Sequence, residues 1–422
     1  MNAIEGRGIL VLLFSCLLVL LSSCFLVPKN KMKKLKKLPL LARILIAIAI
    51  GIGLGLVLPL PAVRLFVTFN SIFSNFLQFL IPLIIIGLIT PAISDIGNSA
   101  GKLLLITTLI AYGDTVFSGY LSYFTSSSIF PLLISNGQAL EHIAEVKALE
   151  PYFTINIPPL VDVMSALVTA FTVGLGIAFF GSKTLKPGFD EFKDIVAKTI
   201  EVALIPLLPI YIFGIFLEMS YTGNAWHVLN VFISIIGVIF LLHIFLLVLQ
   251  YCIAGVITRS NPFKLLWNML PAYFTALGTS SSAATIPVTL KSTLKNGVSD
   301  GIAGFVVPLC ATIHLSGSCL KIVACSVALM LMTGMPFDLG MFSGFIFMLG
   351  VMMVAAPGVP GGAIMAALGV LQSILGFDAQ QQALMIALYI TMDSFGTACN
   401  VTGDGAIALI VDKINARREA KS

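Results

Sequence analysis

Residues 393 to 404 set four polar side chains and a glycine at helical intervals. Asp393, Gly396, Thr397, Asn400 and Asp404 fall at i, i+3, i+4, i+7 and i+11, so one helix presents them all on a single stripe. Two carboxylates on such a stripe can hold two kinds of cation. An organic ammonium pairs with a desolvated carboxylate, and a hard metal cation takes oxygen ligands. The surrounding sequence is apolar, and a carboxylate placed inside a membrane is expensive and usually marks an ion or substrate pathway. Three further ionisable residues sit in apolar stretches: Asp114, His314 and Lys321. Lys321 either pairs with a buried anion or snorkels to an interface.

Other chemistry finds little support. A nucleophilic enzyme needs a nucleophile with a base in reach; Ser281 has no histidine evident beside it, and His314 is the only histidine near the polar motifs. The seven cysteines lie mostly in apolar segments without paired metal-ligand spacing and read as small buried hydrophobes. The net charge of +5 comes from loops and chain ends and does not point to nucleic acid.

The elements that carry these residues follow from composition. Hydrophobic residues make up 58% of the chain and charged ones only 10%, with a mean hydropathy of +1.04. A soluble domain needs about a quarter of its residues charged, so most of this surface faces something other than water. Apolar runs of about 20 residues, enough to cross a bilayer, recur along the sequence. Inside hydrocarbon the backbone must satisfy its own hydrogen bonds, which makes these runs helices. The expected fold class is an all-α integral membrane protein. The spans read as Leu40 to Pro59, Val67 to Ile93, Leu103 to Phe124, Leu160 to Phe180, Ile200 to Leu217 and Leu229 to Ile257. A polar stretch with Glu141, His142, Glu145 and Glu150 reads as an external loop. Lys33, Lys34, Lys36 and Lys37, the Lys183–Lys198 loop, Arg259 with Lys264, and the tail with Lys413, Arg417, Arg418 and Lys421 are cytoplasmic by the positive-inside rule. Both ends of the core then lie inside, which requires an even number of crossings.

An uncharged apolar run from Ile9 to Val27 precedes the lysines. It reads as a signal sequence, an extra anchor or an upstream extension from a misassigned start. Leu21-Ser22-Ser23-Cys24 has the look of a lipoprotein cleavage box, but lipidation there would leave the lysines outside, against the charge rule. Met32 before Lys33-Lys34 is the favoured start, and residues 1–31 are excluded from the fold.

After Arg259 the texture changes. Thr279 to Pro287 interrupts one apolar segment, and Pro357-Gly358-Val359-Pro360-Gly361-Gly362 interrupts another. Each break is followed by a segment with polar residues, Ala311 to Lys321 and then Asp393 to Asp404. Paired interrupted segments point to a midplane binding site built from half-helices.

At these positions the sequence resembles the dicarboxylate/amino-acid:cation symporter family, which is glutamate transporter-like. Ser280 to Thr289 is similar to the tip of that family's first re-entrant hairpin, and Gly358 to Met365 to the second. Asp393 to Asp404 resembles its last-helix motif, and Ile157 to Asp162 the entry to its fourth helix. The resemblance implies eight transmembrane helices, two re-entrant hairpins, inverted repeats, a homotrimer and a transport domain that slides within a scaffold. It implies residues 32–415 as the core, with 32–101 and 157–257 mainly scaffold and 102–156 the third helix plus external loop. Residues 258–415 would form the hairpin and transport core, and 416–422 a basic cytoplasmic tail. By the same resemblance Ser281, Ser282, Gly358, Val359, Pro360, Asp393, Gly396, Thr397 and Asn400 line the substrate site, and Asn400 and Asp404 hold Na+. Asp393 would take an α-ammonium and Asn400 a carboxylate.

Two departures matter. Members that carry acidic substrates have an arginine at the position of Gly396 or Ser280, and both are absent here. Without that fork a second carboxylate is not gripped, so a neutral amino acid is expected; a dicarboxylate or acidic amino acid is the alternative. The family's Asn-Met-Asp-Gly reads His314-Leu315-Ser316-Gly317, and its partner hydroxyls read Ile110 and Ala111. One sodium site thus loses its carboxylate, while Asp114, His314 and Lys321 appear. We expect Lys321 or His314 to replace that ion, balanced by Asp114, with Ser316 part of the altered site and H+ a possible coupling ion. The expected protein is a multi-pass plasma (inner) membrane symporter without a cofactor; an anion-conducting or sensor-like member is the alternative of another class.

Overall fold

The computed structural model describes residues 40–98, 102–134, 149–223, 225–357 and 360–419. The apolar N-terminal run, the lysine cluster, Glu141, His142, Glu145, Lys421 and the tip residues Gly358 and Val359 lie outside the described residues. Among those described there are fifteen α-helices, one π-turn and no strand. Backbone groups are therefore satisfied within segments, as hydrocarbon demands. Large apolar side chains point outward, among them Phe179 (83% exposed), Val256 (80%) and Leu132 (71%), while the polar motifs are buried. That is the reverse of a water-soluble core.

The chain divides into two compact units. The first comprises residues 40–77, 149–156 and 198–226. It holds α1 (Leu40–Gly55), the start of α2 (Leu60–Asn98), the π-turn Ile200–Leu204 and α6 (Ile205–Tyr221). Helix α1 packs along α6 through small residues: a Cβ on Gly51 would come within 2.7 Å of the Phe213 carbonyl oxygen. That approach lets Ser220 donate to the Ile52 carbonyl at 2.7 Å and closes a core of Ala47, Leu54, Val63, Val67, Phe213 and Leu217. Arg64 donates to the Glu150 carbonyl at 2.9 Å and lies over the Tyr152 ring, which pins the connection at 149–156.

The second unit carries the polar motifs. It contains α3 (Lys102–Ile134), α4 (Val163–Phe180), most of α5 (Leu185–Thr199) and α7 (Ala225–Thr258). Helices α8 (Pro262–Thr279) and α9 (Ser282–Lys295) fold back on each other at Ser280-Ser281, and α12 (Leu339–Ala355) packs on α13 (Gly362–Ser373). Helix α10 (Asp300–Ile313) continues into α11 (Ser316–Met332) across the break at His314-Leu315. Helices α14 (Ala379–Thr391) and α15 (Asp393–Glu419) meet at a 62° bend. Ser118 and Ser122 of α3 donate to the Ser316 and Leu320 carbonyls at 2.8 and 2.6 Å, holding α11 against α3.

Several elements differ from the sequence reading. The basic stretch at Lys183 to Lys198, expected as a loop, is largely the helix α5, in which only Val196 is buried. Its Lys186–Asp190 pair, 2.7 Å apart at i,i+4, supports a polar surface helix. Helix α3 continues to Ile134, ten residues beyond the expected end. Helix α4 starts at Val163 because Asp162 caps it, accepting from the Ser165 hydroxyl and amide; these bonds hold the Asp162 carboxyl below its usual range. By length and composition six described helices can cross a bilayer, or seven with the bent α14–α15 pair. The expected eight are not reached by this measure because α1, at 16 residues, is short.

Gly51→Val should disrupt the α1–α6 contact at a cost of about 1–3 kcal/mol, the usual penalty for overpacking. Thermal unfolding of the detergent-solubilised protein measures this, and Gly53→Val, with open space around it, is the control expected to stay near the parent value.

Candidate functional site

Two helix breaks build the site. At His314 and Leu315 the backbone leaves the α-helical region, which frees amides at the start of α11. Asn400 of α15 accepts from the Gly317 amide at 2.8 Å and from the Ser318 amide at 3.4 Å. Its own amide donates to the Ser318 hydroxyl at 3.2 Å, and that hydroxyl shares a hydrogen bond with the Tyr389 hydroxyl at 3.0 Å. Gly317 allows this approach: a Cβ there would lie 2.7 Å from the Cys399 Cβ. The second break, at Met392, puts Asp393 in the first turn of α15, where the helix N-terminus favours an anion.

Buried charge gathers in two clusters. In the first, His314 is fully buried between two carboxylates, with Nδ1 2.8 Å from Asp404 Oδ1 and Nε2 2.7 Å from Asp114 Oδ2. A neutral imidazole has one N–H, and an ionised carboxylate only accepts. Two hydrogen bonds across three groups therefore need one extra proton, either on the imidazole or on one carboxylate. Either arrangement leaves the trio with one net negative charge. Gln250 of α7 donates to Asp114 Oδ2 at 2.6 Å and to the Ser316 hydroxyl at 3.2 Å. Asp404 Oδ2, by contrast, is buried with no hydrogen-bond partner among the described residues.

The second cluster pairs Lys321 with Asp393. Lys321 is fully buried, its Nζ 3.1 Å from Asp393 Oδ1. The ammonium also reaches the Met392 carbonyl at 3.4 Å and lies 3.5 Å from the centre of the Tyr389 ring, a cation–π contact. Asp393 Oδ2 accepts from the Gly361 amide at 3.0 Å. A Cβ on Gly396 would meet Lys321 Nζ at 2.7 Å, so the lysine fills the space that a side chain at 396 would need.

The sequence-derived residues are thus sorted by the fold. Asp114 meets His314 and not Lys321; Lys321 takes Asp393, the carboxylate expected to be free for an ammonium, and does not snorkel. Ser282, Asp393, Thr397 and Asn400 line a cavity of about 30 Å3 together with Ser280 and Ser318. Thr397 spends its hydroxyl on the Asp393 carbonyl, and Ser280 shares a hydrogen bond with Ser394 at 2.7 Å. Ser281 instead caps α9, accepting from the Ala284 amide. Ser316 joins the first cluster through Gln250. Pro360 is half-buried in the turn before α13. His314 is not the only histidine at the motifs: His243 of α7 donates from Nε2 to the Gly317 carbonyl at 2.9 Å. His243, Gln250 and Tyr389 were missed because each is a lone polar residue in a long apolar helix; the spacing of His243 and Gln250, seven residues apart on one face, was the available signal.

A profile of the sodium:dicarboxylate symporter family matches residues 40–414. The chain belongs to this family. It is 28% identical over 291 residues to mouse (Mus musculus) excitatory amino acid transporter 4, an alignment covering 66% of this chain and 51% of that protein. It is 28% identical over 278 residues to rat (Rattus norvegicus) excitatory amino acid transporter 1, covering 64% and 50%. Human (Homo sapiens) excitatory amino acid transporter 2 is 32% identical over 157 residues, covering 37% and 27%. The chain spans about half the length of the first two relatives, and less of the third. In this member of the sodium:dicarboxylate symporter family the two ionic clusters lie on the helices α3, α7, α11, α14 and α15 and at the α10–α11 break.

His314→Ala leaves Asp114 with only Gln250 and Asp404 with no side-chain partner, and breaking a buried pair from one side costs about 3–5 kcal/mol. Thermal unfolding in detergent should show this loss, and the triple variant Asp114→Asn, His314→Gln, Asp404→Asn should recover part of it because no charge remains in this first cluster.

Proposed function

We propose that this chain is a secondary active symporter that couples inward movement of Na+ or H+ to uptake of a small amino acid, or a close carboxylate analogue, with an uncharged side chain. The observation that carries the reading is the first cluster: one net negative charge remains on Asp114, His314 and Asp404, and Asp404 Oδ2 is unspent. A monovalent cation arriving there neutralises a buried anion, a favourable step in a low-dielectric interior, and Asn400 lies one helical turn away on the same face. Cargo and cation then meet on one helix, as coupled transport requires.

The uncharged side chain follows from Gly396 and Ser280, neither of which supplies a guanidinium. The names of the excitatory amino acid transporters favour an amino-acid-like solute. In this reading the cargo contacts are Ser281, Ser282, Asp393, Gly396, Thr397 and Asn400, with Gly358, Val359 and Pro360 at the second tip. The coupling residues are Asn400, Asp404, His314, Ser316, Lys321 and Asp114. Helices α1, α2, α3, α4, α5–α6, α7, α10–α11 and α14–α15 read as eight crossings, with α8–α9 and α12–α13 as re-entrant hairpins. An elevator-type motion, a homotrimer and a multi-pass plasma (inner) membrane location complete the proposal.

Proteoliposomes loaded to impose a sodium gradient or a proton gradient separately, and offered radiolabelled neutral amino acids and their analogues, test it. Saturable uptake driven by at least one gradient and lost in Asp404→Asn is expected. Solute-independent conductance with no accumulation would identify a channel-like or sensor-like protein instead.

A further inference from the structure

We infer that Lys321 is a specificity-determining residue that fills the ammonium subsite from inside the protein, so that the cavity prefers a 2-hydroxy acid to the corresponding 2-amino acid. The inference rests on the reading of this cavity as the cargo site.

Asp393 is the carboxylate that faces the cavity, and its countercharge is already supplied. Lys321 is absent from the cavity lining and meets Asp393 from within the packed interior. The ammonium is fully buried and has three partners: Asp393 Oδ1 at 3.1 Å, the Met392 carbonyl at 3.4 Å and the Tyr389 ring at 3.5 Å. It therefore has no reason to leave, and the pair presents no net charge to a ligand. A second ammonium at Asp393 would set two like charges on one buried carboxylate, which is costly where water is excluded. A neutral hydroxyl carries no such penalty. The two oxygens of Asp393 offer about four acceptor positions; Lys321 and the Gly361 amide occupy two and the Tyr389 hydroxyl competes for a third, so an O–H donor still finds a lone pair.

The other end of the ligand fits the same class. Asn400 and Ser282 line the cavity; the second amide hydrogen of Asn400, beside the one given to Ser318, and the Ser282 hydroxyl are donors of the kind a carboxylate takes. The cavity, at about 30 Å3, has room for about two waters, so any solute enters only as the walls give, and a compact monocarboxylate asks less of them than a longer solute. The chemistry that recognises the ligand is thus one carboxylate, one hydroxyl on the adjacent carbon and a small uncharged remainder.

The test uses the full chain in proteoliposomes with matched pairs, lactate against alanine and glycerate against serine. The parent protein should take up each hydroxy acid in preference to its amino acid by about tenfold or more, the scale of an unrelieved like-charge contact. Lys321→Met leaves Asp393 in need of a cation and should invert the ratio towards the amino acids. The double variant Asp393→Asn, Lys321→Met removes both charges together, controls for folding, and should discriminate weakly. A lysine with only a structural role would lower uptake of both solutes without moving the ratio. Gradient-driven uptake of alanine or serine by the parent, with the ratio unmoved in Lys321→Met, overturns this inference and leaves the symporter reading standing. Failure of all four solutes to be taken up, or to raise the unfolding temperature, overturns the inference as well, and cation-driven uptake of any other neutral amino acid then decides the symporter reading separately.

Discussion

Charge withdrawn from water has to be answered within the protein, and that requirement organises the second unit. An unpaired ion in a low-dielectric interior carries a penalty of several kcal/mol even after relaxation, more than most packing contacts return. Asp114, His314, Lys321, Asp393 and Asp404 come from three helices and one helix break, yet each ends against an ionisable partner. Helices α3, α11 and α15 are thereby fixed in rotation and in register, since a shift of one residue would turn these groups into hydrocarbon. The serine bonds from α3 to the α11 carbonyls reinforce the same register.

The breaks provide what unbroken helices cannot. A continuous helix consumes its amides internally, so a polar site in a membrane needs places where the ladder stops. At His314-Leu315 the freed amides of Gly317 and Ser318 go to Asn400, and at Gly361 a freed amide goes to Asp393. Each interruption is thus matched to a side chain on α15. The polar stripe and the breaks form one device: the stripe supplies acceptors, and the breaks supply donors.

Much of this was legible in the sequence. The stripe from Asp393 to Asp404 was readable because helical spacing is a local property, and one helix does carry it. The interruptions at Ser280 and Pro357 were readable because serine, proline and glycine are poor continuers of a helix. Partnership was not readable. Asp114 could balance either His314 or Lys321 by sequence, and only the packing of α3, α11 and α15 assigns His314 to Asp114 and Lys321 to Asp393. His243, Gln250 and Tyr389 escaped notice for a related reason: a single polar residue in an apolar helix has no meaning until its neighbour from another helix is known. The segment Leu185–Thr199 reads as a loop in sequence because its charge density masks its helical periodicity.

Gly396 and Lys321 constrain each other's evolution. Because a Cβ at 396 would lie 2.7 Å from the lysine nitrogen, a side chain at 396 displaces the lysine from the place where it meets Asp393. An arginine at 396 would fit most easily with a shorter residue at 321, and a chain that had made only the second change would hold Asp393 without a countercharge. The order of substitutions is thereby restricted, and the two sites should change together among descendants of this chain. A change of cargo charge would then pass through a fitness valley set by a single buried carboxylate.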